Sequence, residues 1–529
     1  MPMPRISPKS LLLGSGVILC LLWLLMTLIS RGIPVDWLPQ SWQVGFAYEV
    51  DNDAMPTGSF LVGQILASLG LVAVIYQLRN AKLPSVAGVI LGFSLLMRLI
   101  AVPGEPIHES DFYRYLWDGH SAAHGINPYR FEPGALWLKE EGVTEPFEDS
   151  ATGVIWNARE FSEKEDKLLE RLASIRNESP VWFSRVSHQA VSTVYPPVAQ
   201  SVFWLAATIS PWSAVGLKGI LLLFDLGIVV VLIALLKRLG KNPVWAVLYA
   251  WNPLVIKEFT NSLHYDAVPV FFCLLGLWIA LSNLLPWKRA VMIGLVLGLG
   301  FLAKYFAILL LPVLLMAPFS KQASVSLRIR NAVCGSSVYL GVVAFVLVIV
   351  AGFLPFVLWD DAGMERVFSG LSTYGAYWQY NPGVFAVARQ VFGWLGDTEA
   401  FRHAGLFCGV LLATVVIWQS FSKGSEPDVV AGKCCLVIGA LFVLSPTAFP
   451  WYLCWVFAFA PIRPRWSWLI FGALWSLNYL DFKTVEVAPL AHAKLGGFYV
   501  LSGGLWLLLM VLWVVEYMRR KSRLPWAEN

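Results

Sequence analysis

Long runs of apolar residues recur along this chain and constrain its fold more than any other feature. Many of them approach the ~20 residues that a helix needs to cross the hydrocarbon core of a bilayer. Hydrophobic residues make up 57% of the 529 residues and charged residues 14%, whereas soluble domains carry about 25% charged residues. The chain therefore lacks the polar surface for several soluble domains. We predict an all-α, polytopic transmembrane bundle of about 12–14 helices.

The candidate spans follow from the positions of the apolar runs. They lie at 11–30, 59–78, 85–102, 213–236, 243–260, 267–285, 289–303, 305–319, 332–357, 403–420, 431–449, 450–462, 466–481 and 497–517. The first run follows Arg5 and Lys9, as in a signal peptide, but it is too long for one and no small-residue cleavage site follows it. We therefore predict that it is retained as the first transmembrane helix.

Basic residues indicate the orientation of these spans. With the N-terminus in the cytoplasm, the short cytoplasmic segments contain about half of the 39 Lys and Arg residues, as the positive-inside rule requires. This agreement holds only if the apolar stretch 194–210 does not cross the membrane, so we predict an interfacial or re-entrant helix there. The expected result is a multi-pass protein of the cytoplasmic (inner) cell membrane with both termini in the cytoplasm.

One large extracytoplasmic loop separates the third and fourth spans in this arrangement. The predicted divisions are N-terminal transmembrane helices at 1–102, the large loop at 103–212, central transmembrane helices at 213–357, an outer loop at 358–402, and C-terminal transmembrane helices with a basic cytoplasmic tail at 403–529. Within the large loop, Ser162 and Glu165 predict a capping box at the start of a charged amphipathic helix. We expect the functional groups in this loop and in juxtamembrane helices that it contains.

Cysteine, tryptophan and net charge each favour a structural interpretation. The seven cysteines lie in or beside apolar runs without a metal-type spacing, so we predict that they pack between helices. Tryptophans stand at predicted helix ends, where indole rings prefer the membrane interface, and these include Trp212, Trp287, Trp451 and Trp466. The net charge of +5 is too small and too scattered to indicate a nucleic-acid partner.

The start of the large loop is dense in ionisable and aromatic residues. From Pro103 it reads PGEPIHESDFYRYLWDGHSAAHGINPYRFEP. In a helix, Asp111, Arg114 and Asp118 would share one face, because they stand at positions i, i+3 and i+7. Together with Tyr115 and Trp117 they would bring carboxylates, a fixed cation and aromatic rings to the membrane surface. Such a group fits a lipid-linked substrate with an anionic head and a sugar, although Arg114 and Asp118 could also form a structural ion pair.

Ionisable residues inside or beside the spans form a second group. A charge in the lipid core costs at least ~2.5 kcal/mol, so these side chains are expected to face protein or water. We predict that Asp225, deep in the fourth span, makes a structural polar contact and that Arg98 extends outward to the interface. Four others stand at helix ends on the same side as Asp111, where a cation could hold a phosphate; they are Lys257, His264, Asp266 and Lys304.

A family resemblance rests on several of these motifs in order. They are SDFYRYLWDG and GINPY in the large loop, TVYPPVAQ at 193–200, FDLG at 224–227, AWNPLVIKE at 250–258, and LAKYFAILLLP at 302–312. This series resembles the GT-C superfamily of integral membrane glycosyltransferases, in particular the bacterial polyprenol-phosphate-mannose-dependent mannosyltransferases. The resemblance runs from about Arg98 to Pro312, and more loosely to SPTAFPWYLCW at 445–455.

The resemblance implies an activity and a catalytic residue. In that superfamily an acidic residue of the first large outer loop is the general base for the acceptor hydroxyl, and by position it maps to Asp111. Many relatives have a second acidic residue just before it, whereas this chain has Ser110, with Glu109 one residue further back as an alternative carboxylate. The expected reaction moves a sugar, with mannose expected, from a polyprenyl phosphate to an acceptor hydroxyl on the extracytoplasmic face, with inversion. Because polyprenyl phosphate leaves as an anion, one carboxylate suffices and no general acid is needed.

Other residues are assigned supporting roles under this interpretation. Donor-phosphate contacts are predicted for Arg114, His188, Lys257, His264 and Lys304. Substrate contacts are predicted for Glu109, Tyr115, Trp117, Asp118, Tyr195 and Asp266. The expected partners are a polyprenyl-phosphate-linked sugar, a glycan, lipid or protein acceptor, and membrane lipid. No cofactor is expected; a divalent metal among His108, Glu109, Asp111, His120 and His124 is the less favoured alternative, because their spacing matches no tight ligand signature.

Two other classes of protein compete with an enzyme. A multi-span transporter or flippase of lipid-linked glycans would also carry intramembrane charges, but it is expected to show repeated halves with interrupted helices. A non-catalytic assembly subunit would not need the acidic motif to be intact. Neither nucleotide-binding signature, GxxxxGK[ST] or GxGxxG after a strand, occurs in the chain, which agrees with a lipid-linked donor.

Overall fold

The computed structural model confirms an all-α polytopic architecture. It describes residues 7–31, 46–47, 54–55, 57–81, 83, 86–107, 110–141, 147–148, 155–156, 161–321, 324–483 and 491–521. Eight helices in this part are long and apolar enough to cross a membrane, namely Pro8–Ser30, Phe60–Leu78, Val215–Arg238, Pro286–Ala303, Ser336–Asp361, Ala400–Phe421, Pro427–Leu444 and Leu501–Arg519. Five shorter apolar helices accompany them, at Ala87–Ala101, Pro197–Ile209, Ala267–Ala280, Tyr305–Ser320 and Pro450–Phe459. The chain is therefore a multi-pass membrane protein.

The α-helices are numbered in chain order. They are α1 Pro8–Ser30, α2 Thr57–Leu78, α3 Ala87–Ala101, α4 Asp111–Ala123, α5 Ala135–Glu141, α6 Glu163–Glu178, α7 Pro180–Ser184, α8 Pro197–Ile209, α9 Val215–Arg238, α10 Val247–Ala250, α11 Pro253–Ile256, α12 Ala267–Ala280, α13 Pro286–Ala303, α14 Leu310–Met316, α15 Val325–Cys334, α16 Ser336–Leu358, α17 Gly363–Tyr377, α18 Val384–Trp394, α19 Ala400–Phe421, α20 Pro427–Leu444, α21 Leu453–Phe459, α22 Trp466–Trp475 and α23 Ala491–Lys521.

Short helical segments and two small hairpins complete the described structure. The 3-10 segments are Pro243–Ala246, Tyr305–Leu309, Ala317–Lys321, Trp359–Asp361, Pro450–Tyr452 and Ser476–Lys483, and a π-helical segment occupies Lys257–Asn261. Two-residue strands pair in antiparallel fashion, β1 Phe46–Ala47 with β2 Ala54–Met55 and β3 Phe147–Glu148 with β4 Ile155–Trp156. The predicted capping box is present at α6, where Ser162 and Glu165 each cap the other's backbone N–H.

The apolar stretch 194–210 forms the short helix α8 and not a transmembrane span. Its 13 residues extend only ~20 Å, well short of the ~30 Å hydrocarbon core. α8 lies against α4, and the two backbones approach closely at Gly119, where a Cβ atom would collide with the Phe203 carbonyl. Only glycine permits this contact. The first and last helices of the large loop are thereby fixed against each other.

The predicted span 243–260 is wrong as a continuous helix. The structure breaks it into Pro243–Ala246, α10, α11 and the π-helical segment. The cause is a repeated Asn-Pro pair, because proline at a first helical position starts a new helix and cannot continue the previous one. Asn242 and Asn252 each accept a hydrogen bond from the backbone N–H two residues on, and so cap the two new starts.

The prediction that Arg98 extends to the interface is also wrong. Its guanidinium is fully buried and forms a two-point ion pair with Asp225, Nε to Oδ2 at 2.6 Å and Nη2 to Oδ1 at 3.0 Å. The Tyr249 hydroxyl donates to the same carboxylate at 2.7 Å, and Arg98 Nη1 donates to the Ala250 carbonyl at 2.7 Å. Pairing inside the bundle removes the cost of exposing either charge to lipid. Asp225 thus makes the structural contact that we predicted.

The bundle has two distinct ends. One end, which we call the loop end, carries the helices α4 to α8 of the large loop together with α17 and α18. The opposite end, called the far end, brings together turns from four parts of the chain. There Lys241 contacts the Asp428 carboxylate and the Ile462 carbonyl, and Asn242 donates to the Ala81 carbonyl at 2.6 Å.

Candidate active site

A cavity of about 350 Å³ opens at the loop end of the bundle. This volume is within the range of ~300–1,000 Å³ usual for small-molecule sites. Its walls come from α4, the segment before α8, the turn after α13, α17, and the turn before α21. The lining residues are Ser110, Asp111, Arg114, Tyr115, Ser187, His188, Val191, Ser192, Val194, Tyr195, Pro196, Tyr265, Lys304, Tyr305, Leu371, Tyr374, Trp378, Phe449, Trp451 and Tyr452.

Asp111 is the first residue of α4 and presents its carboxylate to this cavity. The Tyr115 hydroxyl donates to Oδ2 and the Ser187 hydroxyl donates to Oδ1, both at 3.5 Å. These distances are at the long limit of a hydrogen bond. The side chain is half-buried. The carboxylate is therefore oriented by its neighbours at the edge of the cavity.

Arg114 is held rigidly beside it. Its Nε atom donates to Asp118 Oδ1 at 2.9 Å, and Nη1 donates to the carbonyls of Val191 at 2.9 Å and His188 at 3.2 Å. The side chain is buried, and Nη2 has no hydrogen-bond partner among the residues that the structure describes. Since an unpaired guanidinium donor is costly when buried, the site is prepared for an acceptor such as a phosphate oxygen.

His188 adopts a left-handed backbone conformation, with φ of 52°. Such a conformation is uncommon for a residue with a Cβ and is concentrated at functional sites. It directs the His188 carbonyl to Arg114, while the imidazole meets the Trp378 ring edge to face at 5.0 Å between centroids. His188 therefore connects the large loop with α17 across the cavity.

Lys304 supplies a second cation to the cavity. It stands in extended backbone between α13 and the next 3-10 segment. Its ammonium donates to Asp266 Oδ1 at 2.6 Å, and the Trp455 indole N–H donates to the same oxygen at 2.7 Å. The ammonium also lies 4.5 Å from the centre of the Tyr452 ring. This combination of a carboxylate and an aromatic ring stabilises a cation that is only 18% exposed.

A stack of four rings forms one wall. The His264 and Trp451 rings are 3.9 Å apart, Trp451 and Phe449 are 4.3 Å apart, and Phe449 and Tyr380 are 4.5 Å apart, all within 15° of parallel. Of these, Phe449 and Trp451 line the cavity. The prediction that Trp451 belongs to an interfacial belt is wrong, because it is only 6% exposed and faces the cavity. The wall offers a flat aromatic surface of the size of a sugar ring.

Tyrosines from separate elements make a second, packed wall. Tyr115 stacks on Phe203 at 4.6 Å, and its edge contacts Tyr195 at 5.0 Å and Tyr265 at 5.5 Å. Burial, followed by the nearby Asp111 carboxylate, raises the pKa of the Tyr195 phenol well above its ordinary value. The pKa of the Tyr115 phenol is raised as well, first by burial, then by the neighbouring Tyr195 and then by Asp111. Both phenols therefore stay neutral and can donate hydrogen bonds.

The structure brings six of the predicted site residues to the cavity and leaves five behind its walls. Asp111, Arg114, Tyr115, His188, Tyr195 and Lys304 line it, whereas Trp117, Asp118, Lys257, His264 and Asp266 do not. Glu109 and His108 lie outside the described residues. Asp266 reaches the cavity only through its ion pair with Lys304, and His264 only through its stack on Trp451.

The other three residues behind the walls have contacts that account for them. Trp117 packs against Phe183 at 4.7 Å between centroids. Asp118 accepts from Arg114 and from Gln200 Nε2 at 3.3 Å. Lys257 is fully buried, with its ammonium 3.1 Å from Glu258 and 3.7 Å from the Tyr479 ring centre. The structure thus places these three residues behind the cavity lining.

Sequence reasoning missed the aromatic residues supplied from far along the chain. These are Tyr374 and Trp378 at the end of α17, and Phe449 and Tyr452 beside Trp451. The motif SPTAFPWYLCW was a signal for the second group, because it was already part of the family resemblance. No spacing rule identified the first group, although its residues fall in the predicted outer loop 358–402.

His120 and His124, on the last turn of α4 and just after it, mainly contact backbone groups and an indole ring. His120 Nε2 accepts the backbone N–H of Trp212 at 3.1 Å, and its ring stacks on that indole at 3.8 Å. His124 Nδ1 contacts the His120 carbonyl at 2.8 Å. In the described ranges, no group of three or more His, Cys, Asp and Glu side chains is arranged to hold a metal ion.

Comparison with known proteins identifies one related family. Residues 179–320 match the family model described as alpha-(1->6)-mannopyranosyltransferase, N-terminal domain. The matched part, a little more than a quarter of the chain, contains His188, Tyr195 and Lys304 but begins after Asp111. Searches of curated proteins and of solved structures found no match. The family match confirms the resemblance to GT-C mannosyltransferases that the sequence motifs carry, and supports a glycosyltransferase that moves mannosyl groups.

Proposed function

We propose that this protein transfers a mannosyl group from a polyprenyl-phosphate carrier to the hydroxyl of an acceptor, with inversion at the anomeric carbon. The observation that carries the proposal is the composition of one cavity: the Asp111 carboxylate, the Arg114 guanidinium and the Lys304 ammonium all line it. Cations stabilise an anionic leaving group, which needs no general acid. The attacking hydroxyl needs one base to accept its proton.

The reaction balances with these residues alone. The acceptor oxygen attacks the anomeric carbon, and its proton passes to Asp111. The bond between that carbon and the phosphate oxygen breaks, and the electron pair leaves with the polyprenyl phosphate. Attack from the side opposite to the departing phosphate inverts the anomeric configuration. The proton transfer accompanies a transition state with oxocarbenium character, so a carboxylate of ordinary basicity is sufficient.

Arg114 and Lys304 would stabilise the phosphate as negative charge develops on it. Arg114 lines the cavity, and its guanidinium is already fixed by hydrogen bonds to Asp118 and to the Val191 and His188 carbonyls. Fixed donors of this kind need no reorganisation during the reaction. The aromatic wall of Phe449 and Trp451 would receive the sugar. The proposal assigns no metal ion to any of these steps.

The cavity would open on the extracytoplasmic side of the cytoplasmic membrane. The distribution of basic residues supports this orientation, because it assigns the loop end to the outside and the far end to the cytoplasm. A lipid-linked donor would remain in the bilayer with its isoprenoid chain and bring only its head into the cavity. The glycan, lipid or protein that accepts the sugar would approach from the aqueous side.

A donor panel tests the proposal directly. Purified protein in detergent is incubated with a lipid extract as acceptor and with polyprenyl phosphates carrying mannose, glucose or galactose, with GDP-mannose as a nucleotide-sugar control. We expect release of free polyprenyl phosphate, and transfer of label, from the mannose donor and not from GDP-mannose. Transfer from GDP-mannose would contradict the proposal. So would transbilayer movement of an intact lipid-linked glycan in liposomes without release of polyprenyl phosphate, which is the result for a flippase.

A further inference from the structure

A second cavity lies between α20, α21, α22 and α23, away from the candidate active site. Its volume is about 450 Å³. The lining residues are Gly432, Cys435, Leu436, Gly439, Ala440, Val443, Leu444, Val456, Phe459, Ala460, Arg463, Arg465, Trp468 and Trp513. Two of them are charged, and both of these stand at the far end. We call this cavity the lateral groove.

The lateral groove has the dimensions of one lipid chain. Along α20 it extends from Gly432 to Leu444, which is ~18 Å at the helical rise of ~1.5 Å per residue. One leaflet contributes about half of the ~30 Å hydrocarbon core. The small side chains of Gly439 and Ala440 leave the α20 surface low, and the Trp468 and Trp513 rings, 5.5 Å apart, also line the groove. At the far end, Gly432 leaves room for the Arg463 guanidinium, which lies directly against it.

The far end of the groove carries an excess of positive charge. The Asp428 carboxylate is shared by Lys241 and Arg463, the latter at 3.1 Å. The Arg465 guanidinium lies 3.7 Å from Glu516. Within the part of the chain that the structure describes, these ion pairs join three cations to two carboxylates. The side chains of Arg463 and Arg465 are 41% and 38% exposed, so part of each guanidinium can reach a ligand.

Glu516 is not a dedicated partner of Arg465. It also accepts hydrogen bonds from the backbone N–H and the hydroxyl of Ser467, each at 3.1 Å. The carboxylate thereby holds α23 to the start of α22.

We infer that the lateral groove binds one anionic phospholipid, with an acyl chain between α20 and α23 and its phosphate at Arg463 and Arg465. The apolar walls account for the chain, and the charge excess accounts for the preference for an anionic head. A zwitterionic lipid would make the same apolar contacts with the groove, but its head group would gain less from the excess positive charge. The inference is independent of the proposed transfer reaction, because no residue of the groove lines the candidate active site.

Lipid retention measured by native mass spectrometry tests the head-group contact. The full-length protein is purified in mild detergent and titrated with phosphatidylglycerol or with phosphatidylcholine. We expect tighter retention of one phosphatidylglycerol. Arg463→Gln and Arg465→Gln are each expected to weaken it about fivefold, the effect of removing one basic contact. Arg330→Gln, a change of an exposed arginine on α15 at the same end, serves as the matched control and is expected to leave it unchanged.

A groove-filling change tests the chain contact independently. Ala440→Phe places a ring inside the groove, whereas Val511→Phe adds the same bulk to an exposed position of α23. We expect only Ala440→Phe to abolish retention of the single lipid, with both variants eluting as folded protein in size-exclusion chromatography. The inference is overturned if phosphatidylcholine is retained equally well, if the arginine variants behave as Arg330→Gln does, or if Ala440→Phe leaves retention intact. Any of these results leaves the proposed sugar transfer untouched.

Discussion

The ion pair between Arg98 and Asp225 shows, at the scale of single residues, how this bundle accommodates buried charge. Both side chains are almost fully buried, and the carboxylate also accepts from Tyr249. Removing one partner of such a pair leaves the other charge without compensation, which costs about 3–5 kcal/mol. We therefore predict that Arg98→Met destabilises the protein by this amount, measured by chemical denaturation in detergent.

The matched control for this change is Arg402→Met. Arg402 forms an ion pair with Glu399 in which both side chains are mainly exposed, and surface changes of this kind usually alter stability by less than about 0.5 kcal/mol. An equal effect of the two substitutions would show that the Arg98 pair contributes no more than a surface contact. That result would contradict the conclusion that the buried ion pair between Arg98 and Asp225 stabilises the bundle.

At the scale of helices, the C-terminal end of α4 is fixed by a neutral histidine, His120. Burial, followed by repulsion from His124, lowers the pKa of His120 from 6.5 to about 4. The neutral ring is needed because Nε2 accepts the Trp212 N–H. A histidine whose pKa is lower in the folded state contributes its full stability above pH 6.5 and loses it as the pH falls toward 4, because the unfolded state binds the proton more tightly.

We therefore predict that acid loosens α4 through this residue. The free energy of unfolding should fall with pH between 6.5 and 4, with a slope from His120 of up to about 1.4 kcal/mol per pH unit. Hydrogen exchange of the α4 amides at pH 5 and pH 7 measures the effect locally. His120→Gln, which keeps an acceptor that does not titrate, should remove this contribution. A pH dependence that is identical in the variant would contradict the assignment.

The ring stack predicts what His264 does. If the His264 ring supports the Trp451 indole by stacking on it, another flat ring should be able to take its place. We therefore expect His264→Phe to retain turnover within about threefold of the original, whereas His264→Ala, which leaves a cavity under Trp451, should raise KM for the donor about tenfold or more. A direct phosphate contact, as the sequence suggested, would make the two variants equally defective. Steady-state kinetics with the lipid-linked donor separate these outcomes.

Helices were predictable from sequence wherever their pattern is local. The apolar runs identified the long spans, and Ser162 with Glu165 identified the start of α6, because a capping box depends on residues three apart. Hydropathy is high throughout 243–260 and therefore does not reveal that the helix is interrupted there. Its Asn-Pro pairs were the local signal, since each proline restarts the helix.

At the scale of the whole molecule, the cavity joins regions hundreds of residues apart in sequence. Asp111 and Arg114 are recognisable from sequence because they lie in one motif that resembles the GT-C superfamily and because their spacing puts them on one helix face. Tyr374 and Trp378 are not recognisable in this way, because only tertiary packing brings α17 against Ser192 and Thr193, and no periodicity encodes that contact. Hydropathy likewise could not distinguish Trp451 in a cavity wall from a tryptophan at the membrane interface, since both stand at a helix end.

The orientation of the whole chain gives a further prediction. Lys167, on α6, and Arg330, on α15, are both largely exposed and lie at opposite ends of the bundle. In intact cells we expect Lys167→Cys to react with a membrane-impermeant maleimide and Arg330→Cys to react only after lysis. Five native cysteines, Cys20, Cys273, Cys408, Cys434 and Cys454, are buried and Cys435 is half-buried, so these six should contribute little background. Labelling of Arg330→Cys from outside would reverse the topology and contradict the proposed side of the reaction.

The most direct test of the central claim is the turnover of Asp111→Asn in the mannosyl transfer assay. The substitution keeps the shape of the side chain and removes its ability to accept a proton. Asp361→Asn, a change of a largely exposed carboxylate that pairs with Lys164, is the matched control. We predict that Asp111→Asn lowers kcat by about 100-fold or more, with unchanged elution and thermal stability, while Asp361→Asn turns over normally. Turnover by folded Asp111→Asn within tenfold of the original protein would contradict the account.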